Sequence, residues 1–219
     1  MRDTYLRQLE SLHSELIKMG ALCEEAIAGA VKGLLEDDPA LRRKAADLEK
    51  EIDLREREIE AFCIRLILRE QPVAGDLRQI TAAQKMIADM DRIGDQAADI
   101  AELSGFLEGS GAKSRVHIGD MARAAGQMLT GSVDAFVASD LEKARAVMAY
   151  DDVVDDLFVT VRGELIEMIG RDSSAGAACF DLLMIAKHLE RIGDHARNIA
   201  KWVEYSITGI VPGQQGRPD

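Results

Sequence analysis

The sequence predicts an all-α fold, a tandem repeat of two antiparallel three-helix bundles, and three observations carry that prediction. Aromatic residues make up only 4% of the chain, while Ala, Leu, Ile and Met are plentiful, a balance that favours helix over strand. Apolar residues recur at helical spacing through long stretches, interrupted by a few segments rich in Pro, Gly and Asp. The stretch DRIGDQAAD at 91–99 returns as ERIGDHARN at 190–198, inside long helical patterns where glycine costs about 1 kcal/mol relative to alanine.

Punctuation sets the predicted helices at about 3–36, 39–70, 75–108, 114–138, 140–170 and 175–207. EDDPALRR (36–43) offers Asp38 as an N-cap and Pro39 at the first helical position, where a missing N–H is harmless. EQPVAGD (70–76) breaks the next helix, and GSGAKS (109–114) reads as a flexible linker. ASDLE (138–142) places Ser139 and Glu142 at capping-box spacing. GRDSSAG (170–176) breaks the chain again, and GIVPGQQGRPD (209–219) reads as a disordered tail.

The second three helices repeat the first three. Asp38 matches Asp140, and Met19, Val31 and Leu34 match Met121, Val133 and Phe136 at the same offset. The expected organisation is a first bundle over 1–108, a second over 114–208, and the tail.

Composition narrows the functional classes. With 219 residues and 47% apolar content the chain can bury a substantial core. A formal net charge of -12 argues against nucleic-acid binding, which needs Lys and Arg to neutralise phosphates, and against unaided capture of free phosphate. Cys23, Cys63 and Cys179 are widely spaced among apolar residues and read as reduced, buried thiols. The charged N-terminus MRDTYLRQLESLHSEL lacks the apolar core of a signal peptide, and no run approaches the eighteen or so apolar residues of a membrane span. The expectation is a cytoplasmic protein that meets membranes only through partners.

In helix 3 Ile80, Ala83, Ile87, Met90, Gly94, Ala97 and Ala101 alternate at three and four residues, a seam of the kind seen between packed helices. Helix 6 repeats it through Cys179, Leu182, Ala186, Leu189, Gly193, Ala196 and Ala200. Glycine in a seam lets a neighbouring helix approach closely, which is one reason to place it there. Helix 2 has a seam through Leu48, Ile52, Ile59 and Phe62, and helix 5 one through Tyr150, Val154, Leu157 and Val161.

Each seam is flanked by two acids four residues apart, which stack on one helix face: Glu49 and Asp53, Asp91 and Asp95, Asp151 and Asp155, Glu190 and Asp194. Asp53 and Asp91 each lie about 19 residues from the turn near Pro72, roughly 28 Å along the helix axis, so an antiparallel hairpin brings them to one height. Glu49 with Asp95, Asp155 with Glu190, and Asp151 with Asp194 are equidistant in the same way. Four carboxylates are therefore expected to converge in each bundle.

Such a cluster calls for a neutralising cation, and a hard, oxygen-seeking ion is the natural one. Mg, Ca and Mn fit by ligand hardness, and carboxylate-bridged iron is a further fit. For one pair alone, a solvated flank with Arg92 or Arg191 as ion-pair partner is the simpler reading; the coincidence of pairs, height and flank in both halves turns the balance toward metal. His195 follows Asp194, but its counterpart is Gln96, so it reads as a polar surface residue. His188 has no acid three residues before it, Gly193 stands where a ferritin-type Glu-x-x-His would need its histidine, and His13 and His117 have no arranged partners in the sequence. Asp99 and its counterpart Asn198 stand one turn beyond the motif. No nucleophile-base pair, phosphate loop or dinucleotide fingerprint is present in the sequence.

DMDRIGDQAADIAE and KHLERIGDHARNIAKW, together with EIDLREREIEAFCIRLILREQPVAGDLRQI and DDVVDDLF, resemble the PhoU family of phosphate-transport accessory proteins, over about residues 3–208. The resemblance implies a cytoplasmic regulator that holds down the phosphate-starvation response and phosphate transport by contacting the transporter's ATPase subunit and a sensor histidine kinase, and that assembles as a homodimer or higher homo-oligomer. It also implies metal clusters at E(D)-x-x-x-D motifs, here Glu49/Asp53, Asp91/Asp95, Asp151/Asp155 and Glu190/Asp194. Asp91 stands where many relatives carry Glu, a shortening by one methylene that bears on bridging geometry. The alternative reading of the same carboxylates is a metalloenzyme or metal-storage bundle.

Overall fold

A computed structural model of the chain describes residues 2–113 and 116–212. These form six α-helices: α1 (Arg2–Leu35), α2 (Pro39–Glu70), α3 (Gly75–Ser104), α4 (Ile118–Ala138), α5 (Leu141–Arg171) and α6 (Gly176–Thr208). Helix ends follow local chemistry. The Asp38 carboxylate accepts from the Ala40 and Leu41 amides at 2.8 and 3.3 Å, with Pro39 behind it in the first turn, an arrangement that contributes about 1 kcal/mol. Gln71 closes α2 in the left-handed region, at φ 47°.

Four local expectations are corrected. Ser139 does not cap α5: it closes α4 from the left-handed region at φ 52°, donating its N–H to Ala135 and Phe136. That turn hands the capping role to Asp140, whose extended backbone lets its carboxylate accept from the Lys143 amide at 2.9 Å. Helix α3 stops at Ser104, and a 3-10 turn at Gly105–Leu107 tightens the chain so that Leu107 reaches the core at 1% exposure. Helix α4 begins only at Ile118, because the amide and ring of His117 are held by the Glu164 carboxylate of α5.

The fourth correction concerns the segment read as a flexible linker. Over 109–113 it is docked: Lys113 is buried and ion-paired to Asp37, whose carboxylate also accepts from the Gly109 amide at 3.4 Å. Ser114 and Arg115, and the tail beyond Pro212, lie outside the described residues.

The seams are the cores of the two bundles. Every seam residue named for α3 and α6 is buried. In α2 the buried stripe runs Ala45, Leu48, Ile52, Ile59, Cys63 and Leu66, with Phe62 partly covered. Tyr150 departs from the expected α5 seam and is exposed; its hydroxyl reaches Gln127, and Val147 and Val154 carry the packing instead. The three cysteines are free and buried.

Both seam glycines sit at close helix crossings. A Cβ on Gly94 would lie 3.1 Å from Ile52 of α2, and one on Gly193 would lie 3.2 Å from Val154 of α5. Ile52 and Val154 occupy equivalent places in the repeat, so both hairpins cross at the same point.

The halves then pack on one another through α3 against α6 and α1 against α4, and the buried apolar residues form one continuous core. His188 of α6 is hydrogen-bonded to Gln96 of α3 at 2.8 Å, and His195 of α6 to Asp89 of α3 at 2.8 Å. The position rises along one helix as it falls along the other, so the pair is antiparallel. His188 corresponds to Asp89 in the repeat, and His195 to Gln96; the two bonds exchange under a pseudo-twofold axis. Helices α2 and α5 remain on the outer flanks, and they carry one acid pair of each hairpin, Glu49/Asp53 and Asp151/Asp155.

Candidate metal centre

On the α2–α3 hairpin, one carboxylate oxygen each from Asp53, Glu56 and Asp91 lies within 4.8 Å of the others, all three residues being half-buried. Asp53 and Asp91 face each other across the hairpin at the height set by their distance from the turn. Glu56 was not among the sequence candidates. It follows Asp53 by three residues and so shares its face, a signal the sequence carries in the first half alone: the corresponding residue of α5 is Phe158.

Electrostatics brings the remaining acids of this face into the same field. Burial pushes the Glu49 carboxyl above its ordinary value, with repulsion from Asp95, then Asp53 and Asp91, adding to it. Asp91 is raised by burial and by Asp95, with Arg92 opposing. Glu56 is raised by burial, then by Asp91 and Glu60. The cations nearby are held loosely: Arg57 chelates Asp53 at 2.8 and 2.9 Å, and Arg92 reaches Asp95 at 2.8 Å, but the two guanidinium side chains are 70% and 64% exposed. Exposed pairs of this kind contribute ~1 kcal/mol or less, so a cation entering the site displaces them at little cost.

The four acids of the α5–α6 hairpin interact electrostatically, but among the described residues no three of them bring carboxylate oxygens within 4.8 Å of one another. Asp155 is raised by burial, then by Glu190 and Asp194. Asp151 is raised by burial, opposed by Arg197, with Asp155 and Asp194 adding to the rise. Here the cations differ: Arg197 donates to Asp151 at 2.8 Å, and Lys187 is paired with Glu190. Asp151 itself is 6% exposed.

The donor chemistry of the α2–α3 face fits a hard cation. It offers only carboxylate oxygens, three of them close enough to share one ion, in a setting whose mutual repulsion is left partly uncompensated. The histidines take other roles. His195, expected on the surface, spans to Asp89; His188 reaches Gln96 and lies 3.6 Å from Asp99; His117 pairs with Glu164; His13 meets the Phe136 ring edge-on at 5.4 Å between centroids.

Comparison with known proteins places the chain in a family. The PhoU domain matches residues 16–104 and again 118–203. The chain is 36% identical over 207 residues to a "Phosphate-specific transport system accessory protein PhoU homolog" of Pseudomonas putida, covering 92% of this chain and 80% of that one. It is 36% identical to the protein of the same name from Clostridium acetobutylicum, covering 95% and 96%. The crystal structure of PhoU from Pseudomonas aeruginosa superposes with a TM-score of 0.86 at 33% identity, covering 94% of this chain and all of that one. A twice-written three-helix unit, matched in both copies and along the whole fold, makes this chain a member of the PhoU family.

Proposed function

We propose that this chain is a cytoplasmic, non-catalytic regulator of phosphate uptake, which holds down phosphate transport and the phosphate-starvation response by contacting the transporter's ATPase subunit and a sensor kinase. The observation that carries the reading is the match of both halves to relatives named as accessory proteins of phosphate-specific transport, over nearly the whole chain. No helix among the described residues is long and apolar enough to cross a membrane, so contact with a membrane transporter runs through a protein surface. The net charge of -12 steers the chain toward basic surfaces on such partners, and a bound cation reverses the sign locally.

A divalent or ferric ion on the α2–α3 face, held by Asp53, Glu56 and Asp91 with Glu49 and Asp95 close by, is part of this proposal. Mg, Mn, Ca and iron all suit its oxygen donors. The α5–α6 acids Asp151, Asp155, Glu190 and Asp194 are the second, weaker candidate set. The metal-storage or metalloenzyme alternative is less well supported, since His195 turns to Asp89 and His188 to Gln96 rather than to the carboxylates.

The test is genetic. Deleting the gene is expected to switch on phosphate-starvation genes in phosphate-rich medium, and the wild-type chain to silence them again. A deletion strain with normal phosphate control overturns the regulatory reading. Complementation with Asp53→Asn and Asp91→Asn together, at wild-type protein level, separates the roles: poor silencing supports a part for metal in docking, and full silencing removes it.

A further inference from the structure

We infer that the α5–α6 acidic face is a cation site closed by the chain's own lysine and arginine, so that metal is confined to the α2–α3 face. The inference rests on the metal reading of the α2–α3 face and separates two halves that the repeat makes equivalent.

Of the positions that differ between the repeats around these faces, three act in the same direction, while Arg57, which pairs with Asp53 from a side chain 70% exposed, corresponds to Val159 and acts in the other. Glu56, the third carboxylate of the α2–α3 cluster, corresponds to Phe158. Ala88, one turn before Asp91, corresponds to Lys187, and Ala98, one turn beyond Asp95, corresponds to Arg197. The first half thus has an extra oxygen donor where the second has a ring, and methyl groups where the second has cations.

The added groups are placed to work together. The Lys187 ammonium lies 5.5 Å from the centre of the Phe158 ring and is paired with Glu190. The ring therefore holds the ammonium over the carboxylate by a cation–π contact. Arg197 takes the other end of the face, donating to the buried Asp151 at 2.8 Å. Of the four acids, the two least exposed, Asp151 and Glu190 with side chains at 8% and 18%, are the ones neutralised.

A metal ion entering there must displace two cations, one of them bonded to a buried carboxylate, and meets one carboxylate fewer than in the other half. Displacing Arg57 and Arg92 from the α2–α3 face removes only solvent-exposed pairs. The two faces therefore differ in affinity although their E(D)-x-x-x-D spacing is the same.

The experiment measures Mn2+ bound after dialysis, by elemental analysis, on four full-length chains: wild type, Asp53→Asn/Asp91→Asn, Lys187→Ala/Arg197→Gln, and the combination of all four changes. Gln at 197 keeps a donor for Asp151, and circular dichroism melts establish that each variant is folded. Wild type is expected to carry Mn2+ and the Asp53/Asp91 variant to lose essentially all of it. The Lys187/Arg197 variant is expected to gain Mn2+, and the combined variant to keep that gain. Retention of Mn2+ by the Asp53/Asp91 variant overturns the inference, as does a folded combined variant that gains none. A wild type that takes up no Mn2+ sinks the metal reading of the α2–α3 face, while a gain in the combined variant still establishes closure of the other face.

Discussion

Gly94 faces Ile52 across the α2–α3 crossing so closely that a Cβ at position 94 would stand 3.1 Å from Ile52 Cδ1 and 3.2 Å from its Cγ2. The glycine is there because the neighbouring helix fills the place of its side chain. Gly94→Leu is expected to overpack the crossing and lower stability by about 1–3 kcal/mol, read as a lower denaturation midpoint. Gly193→Leu is expected to do the same against Val154. An unchanged midpoint for either variant contradicts the packing described.

The same two variants test how far the halves depend on each other. Helix α3 packs on α1, α2 and α6, so destabilising one hairpin removes support from the other. A single cooperative transition is expected for wild type and for each glycine variant, coincident by far-UV circular dichroism and by Trp202 fluorescence. Two separated transitions in Gly94→Leu, with the Trp202 signal unmoved, contradict a shared core.

The α2–α3 carboxylates set a pH dependence for the metal-free chain. Glu49, Glu56 and Asp91 are raised by burial first and by neighbouring acids next, so the folded state binds protons more readily than the unfolded. Their contribution to stability therefore grows as pH falls from neutrality toward the carboxylate range and shrinks as it rises. Glu49→Gln is expected to stabilise the metal-free chain at neutral pH by an amount in the range of surface charge pairs, about 0.2–1 kcal/mol, read as a higher melting temperature, and to reduce the stabilisation gained on adding Mn2+. A lower melting temperature for the metal-free variant goes against this account.

His13 runs the opposite way. Burial lowers its pKa below 6.5, with Glu10 opposing, so the folded chain favours the neutral ring. Its contribution is fully present above about 6.5 and is lost as pH falls through the unfolded value toward the folded one. In His13→Gln, the loss of stability between pH 7 and pH 5 is expected to be smaller than in wild type. An equal loss of stability between the two pH values in wild type and variant, measured by urea denaturation, removes His13 from the acid response.

Lys113 and Asp37 pin the connection between the halves. The Lys113 hydrogen bond is the main cause of the depressed Asp37 carboxyl. Lys113→Ala is expected to release residues 109–113 and accelerate limited proteolysis there severalfold, with little change in the rest of the digestion pattern. Unaltered cleavage kinetics place the restraint elsewhere.

Local periodicity makes the helices and the height-matched acids readable in the sequence, because an antiparallel hairpin fixes its cross-pairs by distance from the turn. Asp53 with Asp91 and Glu49 with Asp95 follow from that arithmetic alone. What stayed illegible depends on docking between segments far apart in sequence: His195 reaching Asp89, His188 reaching Gln96, and Lys113 reaching Asp37 need the orientation of the two repeats. The side chains of Ser139 and Asp140 both suit a cap, and only the left-handed backbone of Ser139 decides between them. Glu56 has no acidic counterpart in the second half, so the repeat does not mark it.

The pseudo-twofold axis through α3 and α6 puts each half where a second copy of a half-length chain would sit. In a symmetric pair of identical chains every substitution appears twice, and an Asp exchanged for His at position 89 would alter both polar contacts across the axis at once. Joined in one polypeptide, the halves escape that constraint: His188 answers Gln96 while Asp89 answers His195, and a lysine added near one acidic face leaves the other untouched. Covalent fusion is thus what allows two surfaces of common shape to diverge in charge while being held at fixed spacing.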